Sequence, residues 1–379
     1  MLYNRAIKQK IEEFLFRGKV IIIYGARRVG KTTLSKQIIG SFLDSKYINC
    51  ELLQNKTALE TTNSELLKNF LGTYKLIVLD EAQTISDIGM VLKIISDTFP
   101  EIQIIATGSS SFELGNKVME PLTGRSRVFY LYPFSLEEIK ETRDLISIQA
   151  NLDNFLRFGM YPEVFLRSDN DAIEELNNIA GNYLYKDILQ YENLKRSDLL
   201  INLLRALALL IGHEISLNEL SRLLGENINT LKRYIELLEK SFVIFRLRSY
   251  SRNLRKEIAK GQKIYFIDLG IRNALIQNFN PMTMRNDSGG LWENFCVIER
   301  IKHNHNSRKF VNTYFWRTYD QKEIDYIEES GGNLKIFEFK FNERAKSRPS
   351  AEFLKTYPES SFQVIHKDNF YNLFLPDKV

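Results

Sequence analysis

The chain is poor in the residues that mark several protein classes. It has two cysteines, Cys50 and Cys296, far apart in sequence and without metal-ligand spacing. That argues against a disulfide framework and against a zinc site, and a reducing compartment fits. The four histidines, His213, His303, His305 and His366, make no ligand set. His303 and His305 fall in an asparagine-rich stretch that reads as a solvated turn. Long apolar runs are missing too. The longest, around Val20 to Tyr24, is far short of the roughly 20 residues that cross a bilayer, and no basic-then-apolar leader opens the sequence. A cytoplasmic protein with no membrane contact is expected. Glycine and proline are modest, no segment is of low complexity, and no fixed period recurs, which excludes solenoids and propellers.

What is present is enough apolar material for real cores: 379 residues, 44% of them hydrophobic. Such a length suggests two or three domains, and three are expected. A net charge of +5 permits a phosphate-bearing partner without requiring one.

Lys19 to Tyr24 (KVIIIY) is a β-branched run with no helical period, the pattern of a strand buried on both faces. It leads into Gly25-Ala26-Arg27-Arg28-Val29-Gly30-Lys31-Thr32, a complete G-x-x-x-x-G-K-T, and then into helical periodicity from Thr33 to Gly40. Each position has a chemical reason. Gly25 and Gly30 allow the backbone to turn its N–H groups inward, so the loop from Gly25 to Thr33 can cradle the phosphates of ATP at a positive helix end. Lys31 would reach the β and γ phosphates, and the Thr32 hydroxyl would serve Mg²⁺.

A second buried strand, Lys75 to Leu79, ends in Asp80-Glu81-Ala82-Gln83. A carboxylate at the end of a parallel strand beside the phosphate-loop strand suits a water on Mg²⁺, which assigns Asp80 to the metal and Glu81 to the base for the attacking water. A third strand, Ile102 to Ala106, delivers Thr107-Gly108-Ser109-Ser110-Ser111 to the same sheet edge, where Ser109 or a neighbour either senses the γ phosphate or caps a helix. Arg125 either acts across a subunit boundary as an arginine finger, which implies a homo-oligomer, or pairs with a carboxylate of its own domain.

The ordered series GARRVGKTTL, LIVLDEAQ, IIATGSSS and PLTGR, with FGMYPEV at Phe158 to Val164, resembles one family. It is that of the prokaryotic AAA-type ATPases whose C-terminal half is a domain of unknown function ending in a restriction-endonuclease-like core. The resemblance covers nearly the whole chain. It implies an ATPase core close to the AAA+ and signal-transducing NTPase classes, and it implies no particular substrate.

After Pro133 the pattern changes to amphipathic helices, opening with Ser135-Leu-Glu-Glu138, the form of a capping box. Ser216 to Gly225 reads as a short helix with a serine cap and a glycine stop, and Thr230 to Phe242 as a second helix after a turn. That is the grammar of helix-turn-helix. Two β-rich stretches follow, Val243 to Tyr250 and Lys263 to Asp268, separated by a basic segment as in a winged helix. If this unit reads DNA, Asn229, Lys232 and Arg233 face a groove, and Arg252, Arg255 and Lys256 meet phosphates. Winged helices also serve as ATPase lids and docking modules, and Glu226, Glu236 and Glu239 dilute the charge here.

At the C-terminal end an amphipathic helix from Leu291 to Arg300 carries Glu293, and three strands follow: TYFWR, EIDYIE and LKIFEFK. Asp325 with Glu338-Phe-Lys340 matches the D…E-x-K pattern of the PD-(D/E)xK nuclease fold. Strand alternation puts Glu338 and Lys340 on one face, and the hairpin can bring Asp325 alongside. Asp325 and Glu338, with Glu293 as a third acid, would hold a second Mg²⁺ or Mn²⁺, and Lys340 would orient water or stabilise charge on phosphate. Solvated alternating charge on a strand is the plainer alternative.

The expected protein is α/β throughout. A P-loop NTPase parallel sheet occupies residues 1–135, a helical and winged-helix region 136–260, and an α/β restriction-endonuclease-like domain 261–379. The function expected is ATP-controlled DNA processing or defence. The alternative is a nucleotide switch whose C-terminal half docks a protein partner without cleavage.

Overall fold

In the computed structural model the structure describes residues 3–109, 121–165, 167–184, 197–250, 261–317, 322–342 and 351–374. The chain forms two compact units, Met1–Tyr132 with Lys240–Phe242, and Pro133–Glu239 with Val243–Val379.

The first unit is built on a parallel sheet. In chain order its elements are α1 (Ile7–Glu12), β1 (Val20–Tyr24), α2 (Lys31–Ile39), β2 (Ser45–Asn49), α3 (Leu53–Leu59), α4 (Ser64–Leu71), β3 (Leu76–Asp80), α5 (Ile88–Thr98), β4 (Gln103–Gly108) and β5 (Ser126–Tyr130). Among the described residues the strand order is β2-β3-β4-β1-β5, all parallel. β1, β3 and β4 are buried along their whole length, whereas the edge strands β2 and β5 are half-buried. This explains why the inner strands read as unbroken apolar runs and the edges do not. The carboxyl ends of β1, β3 and β4 bring the motifs to one rim.

The second unit opens with α6 (Leu136–Lys140), α7 (Leu145–Ala150), α8 (Leu152–Phe158) and α9 (Asp169–Asn178), followed by α10 (Ser197–Leu209). Then come β6 (Glu214–Ile215), α11 (Leu217–Leu224), α12 (Ile228–Lys240), β7 (Ile244–Ser249), β8 (Gln262–Phe266), α13 (Leu269–Leu275) and α14 (Ser288–Asn306). The chain ends with β9 (Asn312–Arg317), β10 (Glu323–Ser330), β11 (Asn333–Phe339), α15 (Ala351–Thr356) and β12 (Ser361–Ile365). Among the described residues one mixed sheet runs β12-β11-β10-β9-β7-β8-β6. The sequence boundary at 260/261 falls between β7 and β8, which pair antiparallel within that sheet.

Local signals read in the sequence are visible as geometry. Ser135 and Glu138 close a reciprocal capping box, Ser216 caps α11 through Glu219 N, and Gly225 ends that helix in the left-handed region at φ +63°. In the FGMYPEV segment, Gly159 sits at φ +71°, and a Cβ there would lie 2.0 Å from Asp268 Oδ1. The Asp268 carboxylate accepts from Met160 N at 2.7 Å and from Gly270 N at 2.9 Å, so this turn is fastened to the start of α13.

α14 is the pillar of the unit. Trp292 is fully buried and donates to Ile365 O, Asn294 exchanges two hydrogen bonds with the Phe266 backbone, and Arg300 grips Glu328 through two nitrogens. Glu299 accepts from Leu136 N at 2.7 Å and from Lys302 Nζ at 2.8 Å. The expectation for His303 and His305 is corrected here. Both lie on α14, not in a turn, and His303 is buried. The polar sequence misled because α14 is packed on several sides, so most of its polar residues are buried instead of facing water.

Candidate functional site

The phosphate loop joins β1 to α2. Gly30 stands at φ +96° before the helix, and at Gly25 a Cβ would lie 2.3 Å from Leu131 O, so the first position admits no side chain without displacing β5's extension. Arg28 also has positive φ, at +65°. Lys31 is buried, and its ammonium donates to Gly25 O and Ala26 O, both at 2.9 Å. Ala26 and Val29 are buried, while Thr33 is exposed at the helix start.

Asp80, at the end of β3, is the hub of the rim. Its Oδ2 accepts from Thr32 Oγ1 at 2.7 Å and from the Tyr47 hydroxyl, and its Oδ1 accepts from Thr107 Oγ1. One expectation is corrected. β3 is not beside the phosphate-loop strand, because β4 lies between them. Thr107 at the tip of β4 spans the gap by holding Asp80 and by accepting from Glu81 N at 3.1 Å. Glu81 itself stands at φ +53°. Gln83 Nε2 donates to Glu81 Oε2 and, at 3.1 Å, to Ser109 Oγ, so Ser109 is tied to the candidate base. Ser110 and Ser111 lie outside the described residues.

Burial and hydrogen bonding to Asp80 push the Tyr47 phenol well above its usual range. Burial, reinforced by the charges of Asp80 and Glu81, pushes the nearby Cys50 thiol up to about 12, which leaves it an inert packing group. Mg²⁺ fits this rim, since Thr32 and Asp80 present hard oxygen donors 2.7 Å apart beside a phosphate loop.

Three side chains at the rim escaped sequence reasoning. Arg5, 7% exposed, donates from Nη1 to Val29 O at 2.6 Å and from Nη2 to Tyr132 O at 2.5 Å, tying the loop to the end of the first unit. Tyr47 reaches Asp80 from edge strand β2, and Gln83 joins Glu81 to Ser109. Only Gln83 carried a signal, its place two residues after Glu81. Arg125 lies at the opposite end of the strands, before β5, where its Nε meets Asp97 Oδ1 at 2.6 Å on the surface.

In the second unit Glu293, Asp325, Glu338 and Lys340 come together. Lys340 Nζ is 2.9 Å from Glu338 Oε2 and 3.9 Å from Asp325 Oδ2, and Phe339 N donates to Asp325 Oδ2 at 2.8 Å. β10 is irregular between Ile324 and Ile327, and Asp325 in that stretch accepts from the end of β11 at Phe339 N. Two groups that sequence reasoning missed join from β8. Lys263, 1% exposed, pairs with Glu293 Oε1 at 2.7 Å and with Glu323, and the Tyr265 hydroxyl donates to the same Glu293 oxygen at 2.6 Å. Burial raises both Glu293 and Glu338 above the usual carboxylate range; Lys263 opposes this at Glu293, and Asp325 adds to it at Glu338. Lys263 is raised: burial acts to discharge it, and the surrounding carboxylates prevail. Among the described residues no group of three or more His, Cys, Asp or Glu side chains is arranged to hold a metal ion. Glu293 is already engaged by Lys263 and Tyr265.

α10, β6, α11, α12, β7 and β8 follow one another in the chain, with the three strands part of the seven-stranded sheet. On α12, Asn229, Lys232 and Arg233 are exposed while Leu231, Tyr234 and Ile235 are buried, and Glu236 shares the exposed face. Arg252, Arg255 and Lys256 lie outside the described residues.

A parallel sheet in the order β2-β3-β4-β1-β5, a phosphate loop after β1 and an Asp-Glu pair at the end of β3 define a Walker-type P-loop ATPase domain. Accordingly, residues 17–140 match the AAA domain family, residues 149–282 a domain of unknown function (DUF8612) and residues 288–374 another (DUF4143). The chain is 26% identical over 344 residues to an uncharacterised protein of Mycobacterium tuberculosis, covering 90% of this chain and 74% of that one. It is likewise 26% identical over 392 residues to an uncharacterised protein of Methanocaldococcus jannaschii, covering 96% and 83%. Among solved structures it resembles the Walker-type ATPase of Pyrococcus abyssi, at 17% identity and a TM-score of 0.50, covering 73% of this chain and 96% of that one, a likeness of fold. Among the described residues no helix is long and apolar enough to cross a membrane.

Proposed function

We propose that this protein hydrolyses ATP at the phosphate loop and works as a nucleotide switch whose second unit docks a protein partner. The observation that carries the ATPase part of this reading is the convergence of Thr32, Thr107 and Tyr47 on Asp80, with Glu81 next to it. Phosphates entering the loop draw Lys31 from Gly25 O and Ala26 O, replacing two neutral acceptors with charged oxygens. The backbone of Gly25 to Thr33 surrounds the β phosphate. Mg²⁺, held by Thr32 and through water by Asp80, would neutralise charge on the β and γ phosphates. Glu81 takes the proton of the attacking water, its backbone fixed by Thr107 and its carboxylate by Gln83, and Ser109 is poised through Gln83 to register the γ phosphate.

Steady-state hydrolysis by the wild type and by Glu81→Ala tests this. Turnover should fall by about 10²–10⁴-fold in the variant while ATP binding persists. Wild-type protein that binds ATP and never turns it over, with or without DNA, would sink the reading.

A second reading is favoured by one observation: Asp325, Glu338 and Lys340 converge instead of splaying across an exposed sheet. On that reading the second unit is a PD-(D/E)xK phosphodiesterase and the protein an ATP-controlled DNA-processing enzyme, with the exposed face of α12 contacting DNA. Divalent-ion-dependent cleavage that disappears in Lys340→Ala, together with ATP turnover stimulated by DNA, would establish it over the docking role.

A further inference from the structure

The four acids of the C-terminal cluster already have a cation among them. Lys263 rises from β8, the strand next to β7 and two removed from β9, and reaches Glu293 on α14 and Glu323 at the start of β10. Its stem lies near the Phe315 ring, with Nζ 5.7 Å from the ring centre, so the side chain is enclosed as well as paired. A second tethered cation, Lys340, sits between Asp325 and Glu338.

The acids that a divalent ion would need are therefore engaged one by one. Glu293 Oε1 accepts from both Lys263 and Tyr265, Asp325 Oδ2 from Phe339 N, and Glu338 Oε2 from Lys340. None of these donors can diffuse away. To give Glu293 or Glu323 to a metal, the cluster would have to displace an ammonium that is 1% exposed, and leaving it buried without its carboxylates is strongly unfavourable. Removing the charge of Lys263 reverses the balance: Glu293, Glu323 and Asp325 then face one another with no counter-charge from β8.

The geometry points to Lys263 as a built-in counter-ion that stands in place of a divalent metal, making the C-terminal cluster a metal-free centre in the wild-type protein. This inference and the phosphodiesterase reading above make opposite predictions for divalent ions. It is independent of the ATPase reading, which concerns the other unit.

The test is Mn²⁺ titration of the full-length chain without nucleotide, followed by electron paramagnetic resonance and by thermal unfolding. Asp80→Asn serves as the background, to silence the phosphate-loop rim. The background protein should bind no Mn²⁺ through the cluster and should show no Mn²⁺-dependent rise in Tm. Adding Lys263→Met should tighten Mn²⁺ binding by at least about tenfold and make Tm rise with Mn²⁺, and Asp325→Asn should abolish both gains. The Tm readout keeps the test open when Lys263→Met is itself destabilised. Mn²⁺ binding by the background protein that Asp325→Asn removes would overturn the proposal. So would a folded Lys263→Met protein that gains no binding.

Discussion

Arg5 shows how one side chain can organise a loop that sequence motifs describe as self-sufficient. Its guanidinium donates to two carbonyls, Val29 O inside the phosphate loop and Tyr132 O beyond β5. Replacing it with alanine should cost about 1–3 kcal/mol through the buried Val29 acceptor. Because that acceptor belongs to the loop, ATP affinity should also fall, whereas Arg5→Lys, which can reach one carbonyl but not both, should recover part of it. Denaturant unfolding together with a fluorescent-nucleotide titration checks this. Full ATP affinity in a folded Arg5→Ala protein would reduce the residue to a strut. No periodicity marks Arg5, because an isolated arginine outside a motif carries no spacing to read.

At the scale of the element, α14 is the most informative. It holds Asn294, Glu299, Arg300, Lys302 and His303 in buried positions, so its sequence is polar where its environment is not. His305, near its end, is shifted below its ordinary value of 6.5 to about 4, mainly by burial and further by the charge of Arg308. Between those values the unfolded chain takes up a proton that the folded chain refuses. The stability His305 contributes is therefore complete above about pH 6.5 and is lost as the pH falls toward 4, a change on the order of 2–3 kcal/mol. Buried carboxyls such as Glu299, raised mainly by burial, act with the opposite sign in the same window, so the useful quantity is a difference. His305→Gln should lose less stability than the wild type on acidification from about pH 7 to about pH 5, and equal losses would refute the assignment.

For the whole molecule, the question is whether two copies complete one site. Arg125 is remote from the phosphate loop of its own chain, at the other end of the strands, and its pairing with Asp97 is half-exposed. Such a pair contributes about 0–1 kcal/mol. A finger reaching a neighbouring chain predicts that Arg125→Ala leaves thermal stability unchanged while lowering ATP turnover by about 10³-fold or more. Light scattering with nucleotide present should then show an assembly. A monomer with undiminished turnover in the variant would assign Arg125 to the surface ion pair alone.

Alone, the sequence determined the central strands of the ATPase unit and the motifs at their ends. β1, β3 and β4 are central and buried along their length, so they read as apolar runs, and the phosphate loop and the Asp80-Glu81 pair stand at the ends of β1 and β3. Contacts between neighbours in sequence leave patterns that can be counted, and the capping box at Ser135 and the glycine stop at Gly225 were legible for the same reason. Only the tertiary structure decided that β4 separates β1 from β3, that Tyr47 and Thr107 hold Asp80, and that β7 and β8 share a sheet with β9 to β12. It alone placed Lys263 among the acids of the C-terminal cluster, 30 residues from Glu293 and within 2.7 Å of it. Strand order and long-range charge pairing come from which apolar faces pack together, and that choice is made by the folded core rather than by any local spacing.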